Sequence, residues 1–138
     1  MNDQCDSSLR VLVIDDQKSM RSIIRSLLGQ FGIEDIDEAE GGATALEFLL
    51  NPRSNFPDVI ICDLHMGNMD GMEFCNVVRR NDALRNRQVP IIILTGDDDA
   101  FMHEVVEQVG AINVVTKPVT AAQLRDHIGA AVGFSIGS

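Results

Sequence analysis

Short apolar runs alternate along the chain with longer stretches in which apolar residues recur at helical spacing. Four of these runs are mostly β-branched and apolar on both faces, which is typical of parallel strands that helices cover on both sides. They occupy residues 11–14, 59–62, 91–94 and 114–115. Residues 35–39 predict a fifth strand, whose polar side chains favour a place near an edge of the sheet.

Helical spacing predicts a helix between each pair of strands and one more after the last strand. The first has apolar residues three and four positions apart from Met20 to Phe31, and Gly32 follows as a stop signal. The last begins with Thr120 and Gln123 at the spacing of a capping box, in which each residue satisfies a free backbone donor of the other. The other predicted helices span residues 43–50, 72–80 and 100–109, and the last continues to residue 132.

Strand and helix alternate five times, as expected of an α/β protein with a (βα)5 arrangement. Parallel strands need such crossovers, and the crossovers are almost always right-handed. The expected architecture is a doubly wound five-stranded parallel sheet with helices on both faces. A chain of 138 residues fits one domain, predicted over residues 9–133, with short tails at 1–8 and 134–138.

Composition and charge narrow the classes of partner and compartment. The chain is 45% hydrophobic, enough to bury a core, and its net charge of −10 repels nucleic-acid phosphates and anionic lipid. No apolar run approaches the length of a membrane span, and residues 1–8 lack the features of a signal peptide. We therefore expect a cytoplasmic protein without direct nucleic-acid or membrane binding. Cys62 and Cys75 lie in apolar contexts and are predicted to be core residues.

Polar side chains stand where the predicted strands end. Asp15 and Asp16 follow the first apolar run, Asp63 ends the second, Thr95 ends the third, and Lys117 follows the last. Ligands of open parallel sheets bind outside the carboxyl ends of the strands, so these side chains are expected to converge on one site. Lys117 is one of only two lysines in the chain, which favours a specific role for it.

Three carboxylates in one crevice repel one another unless a proton or a cation joins them. A hard divalent cation suits oxygen ligands, so Mg²⁺ is the expected cofactor, with Mn²⁺ as the alternative. A metal, a lysine and a hydroxyl around a carboxylate are the groups that phosphoryl transfer needs. Asp63 stands alone on a strand that we expect to be central, so it is the best candidate nucleophile, and Asp15 and Asp16 are better metal ligands.

Five short motifs at these strand ends resemble those of the receiver domain of two-component response regulators. The motifs are Ile14-Asp15-Asp16, Asp63-Leu64-His65-Met66, Asp70-Gly71, Thr95-Gly96 and Lys117-Pro118. The resemblance covers roughly residues 10–132, with the closest likeness to single-domain, chemotaxis-type receivers. It implies a flavodoxin-like fold with strand order 2-1-3-4-5.

The resemblance also implies a role for each residue of the site. Asp63 is the expected phosphorylation site. The expected ligands of Mg²⁺ are Asp15, Asp16, Asp63 and the backbone carbonyl of His65. Thr95 is expected to move toward the phosphoryl group and Lys117 to bond one of its oxygens, while the Lys117-Pro118 peptide is expected to be cis.

The sequence departs from the family pattern at two positions. Val114 stands where the family usually has tyrosine or phenylalanine, so rotation of an aromatic ring is not available to report the movement of Thr95. Gly67 stands where a proline is common, which is expected to loosen that loop.

Taken together, these features predict a phosphorylation-dependent signalling switch in a phosphorelay, which catalyses its own phosphorylation and dephosphorylation but is not an enzyme with a separate substrate. The phosphoryl donor is expected to be a histidine kinase or a phosphotransfer protein. The signal is expected to pass to an unknown downstream protein through a surface around residues 100–109 and 114–132. We expect a monomer, and dimerisation on phosphorylation stays open.

Three other functions share part of the pattern. A phosphatase of the haloacid dehalogenase type would carry its nucleophile in an Asp-x-Asp motif on the first strand, whereas this strand ends in Asp15-Asp16-Gln17. A flavodoxin-like electron carrier would need a phosphate loop after the first strand and aromatic residues over the flavin, and the chain has no Trp or Tyr. A receiver-like scaffold that no longer takes phosphate would not need the intact acids and Lys117.

Overall fold

The computed structural model describes residues 9–67, 69–96 and 113–133. The strands are β1 (Arg10–Ile14), β2 (Asp35–Ala39), β3 (Val59–Asp63), β4 (Ile91–Thr95) and β5 (Asn113–Thr116). The helices of the described residues are α1 (Lys18–Gln30), α2 (Gly42–Leu50), α3 (Gly71–Arg80) and α4 (Ala121–Val132). The helix predicted over residues 100–109 lies outside the described residues.

All five strands run parallel in one sheet, in the order β2-β1-β3-β4-β5. This order confirms the doubly wound, flavodoxin-like architecture that was predicted. Every residue of β3 and β4 is buried, because these inner strands are covered on both faces. Strand β2 lies at an edge and pairs with β1, and four of its five residues keep some exposure, as the polar sequence predicted.

Successive side chains of the strands point to opposite faces, so the sheet separates two apolar cores. The α2–α3 core joins strand residues such as Leu12 and Ile60 to Ala45, Leu49 and Phe74 of the helices. The α1–α4 core joins the alternate strand positions to Ile24, Leu28, Leu124 and Ile128. Burying one such Leu, Ile or Phe side chain stabilises the fold by about 1.5 to 3 kcal/mol.

The two cysteines predicted to be core residues are in the α2–α3 core. Cys62 and Cys75 are buried and unbridged. Burial raises the pKa of both thiols, so each behaves as a small apolar side chain. Cys5 lies outside the described residues.

Helix α1 is rotated relative to the stripe that its apolar residues indicate. Its buried residues are Arg21, Ile24 and Leu28, whereas Ile23 is 52% exposed. Positions 21, 24 and 28 share one helical face, so an arginine occupies a place in the buried stripe. The outer apolar residues of α1 form the wall of a shallow cavity beside Lys117 and Pro118.

Two helices begin with reciprocal caps. In α4 the Gln123 N–H donates to Thr120 Oγ1 and the Thr120 N–H donates to Gln123 Oε1, at 3.1 and 3.0 Å, which confirms the predicted capping box. In α3 the Glu73 N–H donates to Asp70 Oδ1 at 2.8 Å. This cap fixes the start of α3 close behind the end of β3. None of the helices in the described ranges is long and apolar enough to cross a membrane.

Candidate functional site

The carboxyl ends of β1 and β3 bring three aspartates together. Asp15 and Asp16 follow β1, and Asp63 is the last residue of β3, the strand paired with β1. One carboxylate oxygen from each of Asp15, Asp16 and Asp63 lies within 4.8 Å of the others. The convergence expected from the positions of the strand ends is therefore present in the fold.

Asp15 is almost fully buried, and its two carboxylate oxygens differ. Oδ1 accepts a hydrogen bond from the Gln17 N–H at 2.9 Å. Oδ2 has no hydrogen-bond partner, and within the described ranges it is the only buried side-chain polar atom of which this is true. The Asp15 N–H donates to the Ala39 carbonyl at 3.1 Å, so the backbone here continues the pairing with β2. Helix α1 begins after Gln17 without a side-chain cap, so Asp15 does not serve as its N-cap.

The environment of Asp15 opposes its negative charge. Burial is the main cause that raises the pKa of its carboxyl, and the Asp63 and Asp16 carboxylates add to this effect. The hydrogen bond from Gln17 and the Lys117 ammonium act in the opposite direction without cancelling the rise. The turn after β1 therefore holds a carboxylate in a place that favours a further cation.

Lys117 provides a positive charge inside the cluster. Its Nζ donates to Asp63 Oδ1 at 2.7 Å, and the two side chains are only 23% and 11% exposed. One ammonium does not balance three carboxylates, and Asp15 Oδ2 lacks a donor. The residues present therefore fit a hard divalent cation, which binds carboxylate oxygens.

A backbone hydrogen bond joins Thr95 to Lys117. Thr95 ends β4 and is fully buried, and its carbonyl accepts a hydrogen bond from the Lys117 N–H at 2.7 Å. The Lys117-Pro118 peptide is cis, as the resemblance predicted. The carboxyl ends of β3, β4 and β5 thus bring an acid, a hydroxyl and an ammonium to one edge of the sheet.

Comparison with known proteins identifies the family that has this arrangement. The model of the response regulator receiver domain matches residues 11–129, which is most of the chain. The chain belongs to the response regulator receiver family. This receiver therefore works in phosphorylation-dependent two-component signalling, and the phosphatase and electron-carrier alternatives are set aside.

Individual relatives agree with the family match. The chemotaxis protein CheY of Pseudomonas aeruginosa is 33% identical over 122 residues, which cover 87% of this chain and 93% of that protein. The chemotaxis protein CheY-3 of Vibrio cholerae is 29% identical over 125 residues, covering 89% and 91%. The solved receiver domain of the Francisella response regulator 1452 superposes with a TM-score of 0.78 at 29% identity, covering 91% of this chain and 98% of that one.

The loop after β3 has its own conformation in this receiver. Gly67 has φ of +41°, in the left-handed region that favours glycine. A proline, which holds φ near −65°, could not adopt it. The departure from the family pattern at Gly67 is thus matched by a backbone that needs glycine. The side chain of His65 in the same loop is exposed.

Val114 is half-buried and packs against the α2–α3 core. The position at which the family usually has an aromatic ring is therefore held here by a smaller side chain that contacts the core.

Sequence reasoning missed one residue that contacts the site. Arg21 of α1 is buried, and its Nη1 donates to the backbone carbonyl of Asp15 at 2.6 Å. The apolar spacing of α1 alone does not reveal this residue, because only the packing of the helix against the sheet places position 21 in line with Ile24 and Leu28 on the buried face. A charged residue inside a buried stripe indicates a specific partner, since burying it alone is costly.

Proposed function

We propose that this receiver accepts a phosphoryl group on Asp63 and signals by binding a downstream protein. The observation that carries the assignment of Asp63 is its ion pair with Lys117, 2.7 Å from Nζ to Oδ1, beside Asp15 and Asp16. A carboxylate surrounded by an ammonium and by the ligands of a cation matches the requirements of phosphoryl transfer, which depends on positioning and on neutralising the phosphoryl oxygens.

The donor is a phosphohistidine of a histidine kinase or of a phosphotransfer protein. A carboxylate oxygen of Asp63 attacks the phosphorus, the phosphorus–nitrogen bond breaks, and its electron pair leaves with the imidazole, which takes up a proton. In the separate dephosphorylation step, water attacks the phosphorus, the bond between phosphorus and the Asp63 oxygen breaks, and inorganic phosphate and the free carboxylate are released. The receiver catalyses both reactions on itself and has no separate substrate, so it is a signalling protein.

Asp15, Asp16, Asp63 and the backbone carbonyl of His65 would hold the Mg²⁺ ion, for which Mn²⁺ could substitute. The bound ion supplies positive charge for the equatorial phosphoryl oxygens. Lys117 donates to another of these oxygens once the phosphoryl group is present, and the hydroxyl of Thr95 donates to a third.

Signalling follows from the contacts that Thr95 and Lys117 make in the phosphorylated state. The phosphoryl group favours the state in which both residues contact it, so a pre-existing equilibrium shifts. Because Lys117 stands between β5 and α4, the change extends to residues 114–132. Residues 100–109, which the sequence also assigns to the output surface, lie outside the described residues. Val114 excludes an aromatic switch, so we assign the coupling to Thr95 and Lys117 themselves. The working unit is the domain over residues 9–133, a monomer in the cytoplasm, with dimerisation an open outcome of phosphorylation.

The test is labelling with acetyl phosphate and Mg²⁺, read by intact mass. The wild type is expected to gain about 80 Da on one site, and Asp63→Asn is expected to gain nothing. Asp58→Asn is the matched control, because Asp58 precedes β3 at the far end of the strand and is exposed. Equal labelling of the Asp63→Asn protein would overturn the proposal, and chelation of the metal by EDTA is expected to abolish labelling of the wild type.

A further inference from the structure

The buried guanidinium of Arg21 lies behind the turn after β1, which carries the proposed metal ligands Asp15 and Asp16. Arg21 donates from Nη1 to the backbone carbonyl of Asp15 at 2.6 Å and from Nε to Glu38 Oε1 at 2.9 Å. Its side chain is only 10% exposed. The two hydrogen bonds join α1 to the turn after β1 and to the edge strand β2 at the same time.

The backbone of Asp15 is thereby held from two sides. Its N–H donates to the Ala39 carbonyl at 3.1 Å, next to Glu38 on β2. Its carbonyl accepts the hydrogen bond from Arg21. The following peptide leads to Asp16, so the orientation of this carbonyl also fixes the direction in which the next residue leaves the sheet.

We propose that Arg21 is a positioning residue for the metal site, holding the turn that carries Asp15 and Asp16 in the orientation that binds the cation. This inference rests on the proposed function, because the positioned carboxylates are those assigned to Mg²⁺. Arg21 reaches the site through the Asp15 carbonyl, so it acts on the geometry of the ligands and does not touch the reacting atoms.

Glu38 keeps Arg21 in place and also neutralises it. The hydrogen bond from Arg21 lowers the pKa of the Glu38 carboxyl, which keeps Glu38 ionised at neutral pH. The Glu38 carboxylate thus balances the charge of the Arg21 guanidinium. Arg21 therefore acts on Asp15 through its directed hydrogen bond. A planar guanidinium donates in two fixed directions at once, which an ammonium does not do.

Arg25 offers a matched control within the same network. Its Nε donates to Glu38 Oε2 at 2.9 Å, and its Nη2 donates to the Ile36 carbonyl at 3.1 Å. Arg25 therefore joins α1 to β2 as Arg21 does, but its hydrogen bonds go to β2 and not to Asp15. A role limited to fastening α1 onto the sheet would be shared by both arginines.

The test compares Arg21→Met with Arg25→Met in calorimetric titrations with MgCl₂, since a chain without Trp or Tyr offers little intrinsic fluorescence. Arg21→Met is expected to weaken Mg²⁺ binding on the order of tenfold, as the loss of a partner behind a metal ligand does. Arg25→Met is expected to leave it unchanged. In acetyl phosphate labelling, Arg21→Met is expected to raise the Mg²⁺ concentration for half-maximal rate, while the rate at saturating Mg²⁺ stays close to that of the wild type.

Equal Mg²⁺ affinity in the two variants and the wild type would overturn the proposal, as would a labelling rate that stays low at saturating Mg²⁺. If Arg21→Met does not fold, Glu38→Gln replaces it. That variant weakens the hold on Arg21, and a smaller loss of Mg²⁺ affinity is expected, whereas an unchanged affinity contradicts the proposal. Failure of the wild type to be labelled on Asp63 would instead contradict the proposed function, because the Mg²⁺ titrations do not depend on labelling.

Discussion

The side chain of Asp15 opposes folding at the place where the proposed metal site needs a carboxylate. Its Oδ2 is buried without a hydrogen-bond donor. Burial raises the pKa of the Asp15 carboxyl, and the Asp63 and Asp16 carboxylates add to the rise. A buried polar atom without a partner costs about 1 to 3 kcal/mol. The same unpartnered oxygen is available to a cation, which would offset this cost.

Asp15→Asn is therefore expected to stabilise the metal-free protein by about 1 to 3 kcal/mol. The amide keeps the hydrogen bond from Gln17 and removes one negative charge from the cluster. Mg²⁺ is expected to stabilise the wild type far more than the variant, because a ligand stabilises only the fold that binds it. Urea denaturation with and without Mg²⁺ measures both effects, and a variant that is less stable without metal would contradict this account.

The pKa of Glu38 is shifted in the opposite direction to that of Asp15, and this shift predicts how the stability of the protein depends on pH. The hydrogen bonds from Arg21 and Arg25 lower its pKa below the usual 4.5. The stability that Glu38 contributes is thus present above pH 4.5 and is lost as the pH falls through the lower pKa of the folded state. Glu38→Gln is expected to be less stable by about 1 kcal/mol at neutral pH.

The difference between wild type and Glu38→Gln is expected to shrink once the pH falls below 4.5. Denaturation curves collected at a series of pH values measure it. Glu40→Gln is the control, because Glu40 is an exposed acid two residues away. A difference that is constant over the whole pH range would show that ionisation of Glu38 is not its source.

The convergence of Asp15, Asp16, Asp63 and Lys117 could be predicted from the sequence, whereas the contact of Arg21 with this cluster could not. Asp63, Thr95 and Lys117 follow or end apolar runs, and parallel topology alone brings such positions to one edge. The hydrogen bond from Arg21 to Asp15 depends instead on how α1 is rotated against the sheet. That rotation is decided by packing between elements, which the spacing within one helix does not contain.

At the scale of elements, the start of α3 is packed directly against the end of β3. The Gly71 N–H donates to the Leu64 carbonyl at 2.8 Å. A Cβ added at Gly71 would lie 2.9 Å from the carbonyl oxygen of Asp63 and 3.2 Å from Leu64 Cα. Both are backbone atoms, so relief requires β3 and α3 to move apart where the strand carries Asp63.

Gly71→Ala is accordingly expected to destabilise the protein by about 1 to 3 kcal/mol, as overpacking does. Because one of the displaced atoms is the backbone carbonyl oxygen of Asp63, weaker Mg²⁺ binding is expected as well. Gly29→Ala in α1 is the control, since nothing lies within 4 Å of its added Cβ. It is expected to stabilise the protein by up to about 1 kcal/mol. Thermal denaturation separates the two, and a neutral Gly71→Ala would show that the two elements are not in close contact.

Elements were predictable where local sequence decides their structure. The apolar runs identify β3 and β4 because both faces of these strands are covered, and the capping box of α4 needs only Thr120 and Gln123. The exposure of Ile23 was not predictable, because it depends on how the segment from Lys117 to Val119 is placed beside α1 in the folded protein. Close packing at Gly71 likewise becomes visible only when two elements are placed together.

At the scale of the whole molecule, the site brings together side chains from both halves of the continuous sheet. The acids come from β1 and β3, whereas Thr95 and Lys117 come from β4 and the segment after β5. The ion pair between Lys117 and Asp63 is a direct side-chain contact between these two groups of residues. We therefore expect a phosphoryl group on Asp63 to act on β5 and α4 through Lys117.

Lys117→Ala is expected to keep Mg²⁺ binding, because the three acids remain, but to restrict the response to phosphorylation. In ¹H–¹⁵N spectra of the wild type, acetyl phosphate with Mg²⁺ is expected to shift resonances at the ends of β1 and β3 and also along β5 and α4. In the variant the shifts are expected to stay near β1 and β3, because the ammonium that would follow the phosphoryl oxygen is missing. Lys18→Ala, which removes the other lysine at the exposed start of α1, is expected to respond as the wild type does. Phosphorylated Lys117→Ala with the shifts of the wild type along β5 and α4 would show that the signal crosses the sheet by another route.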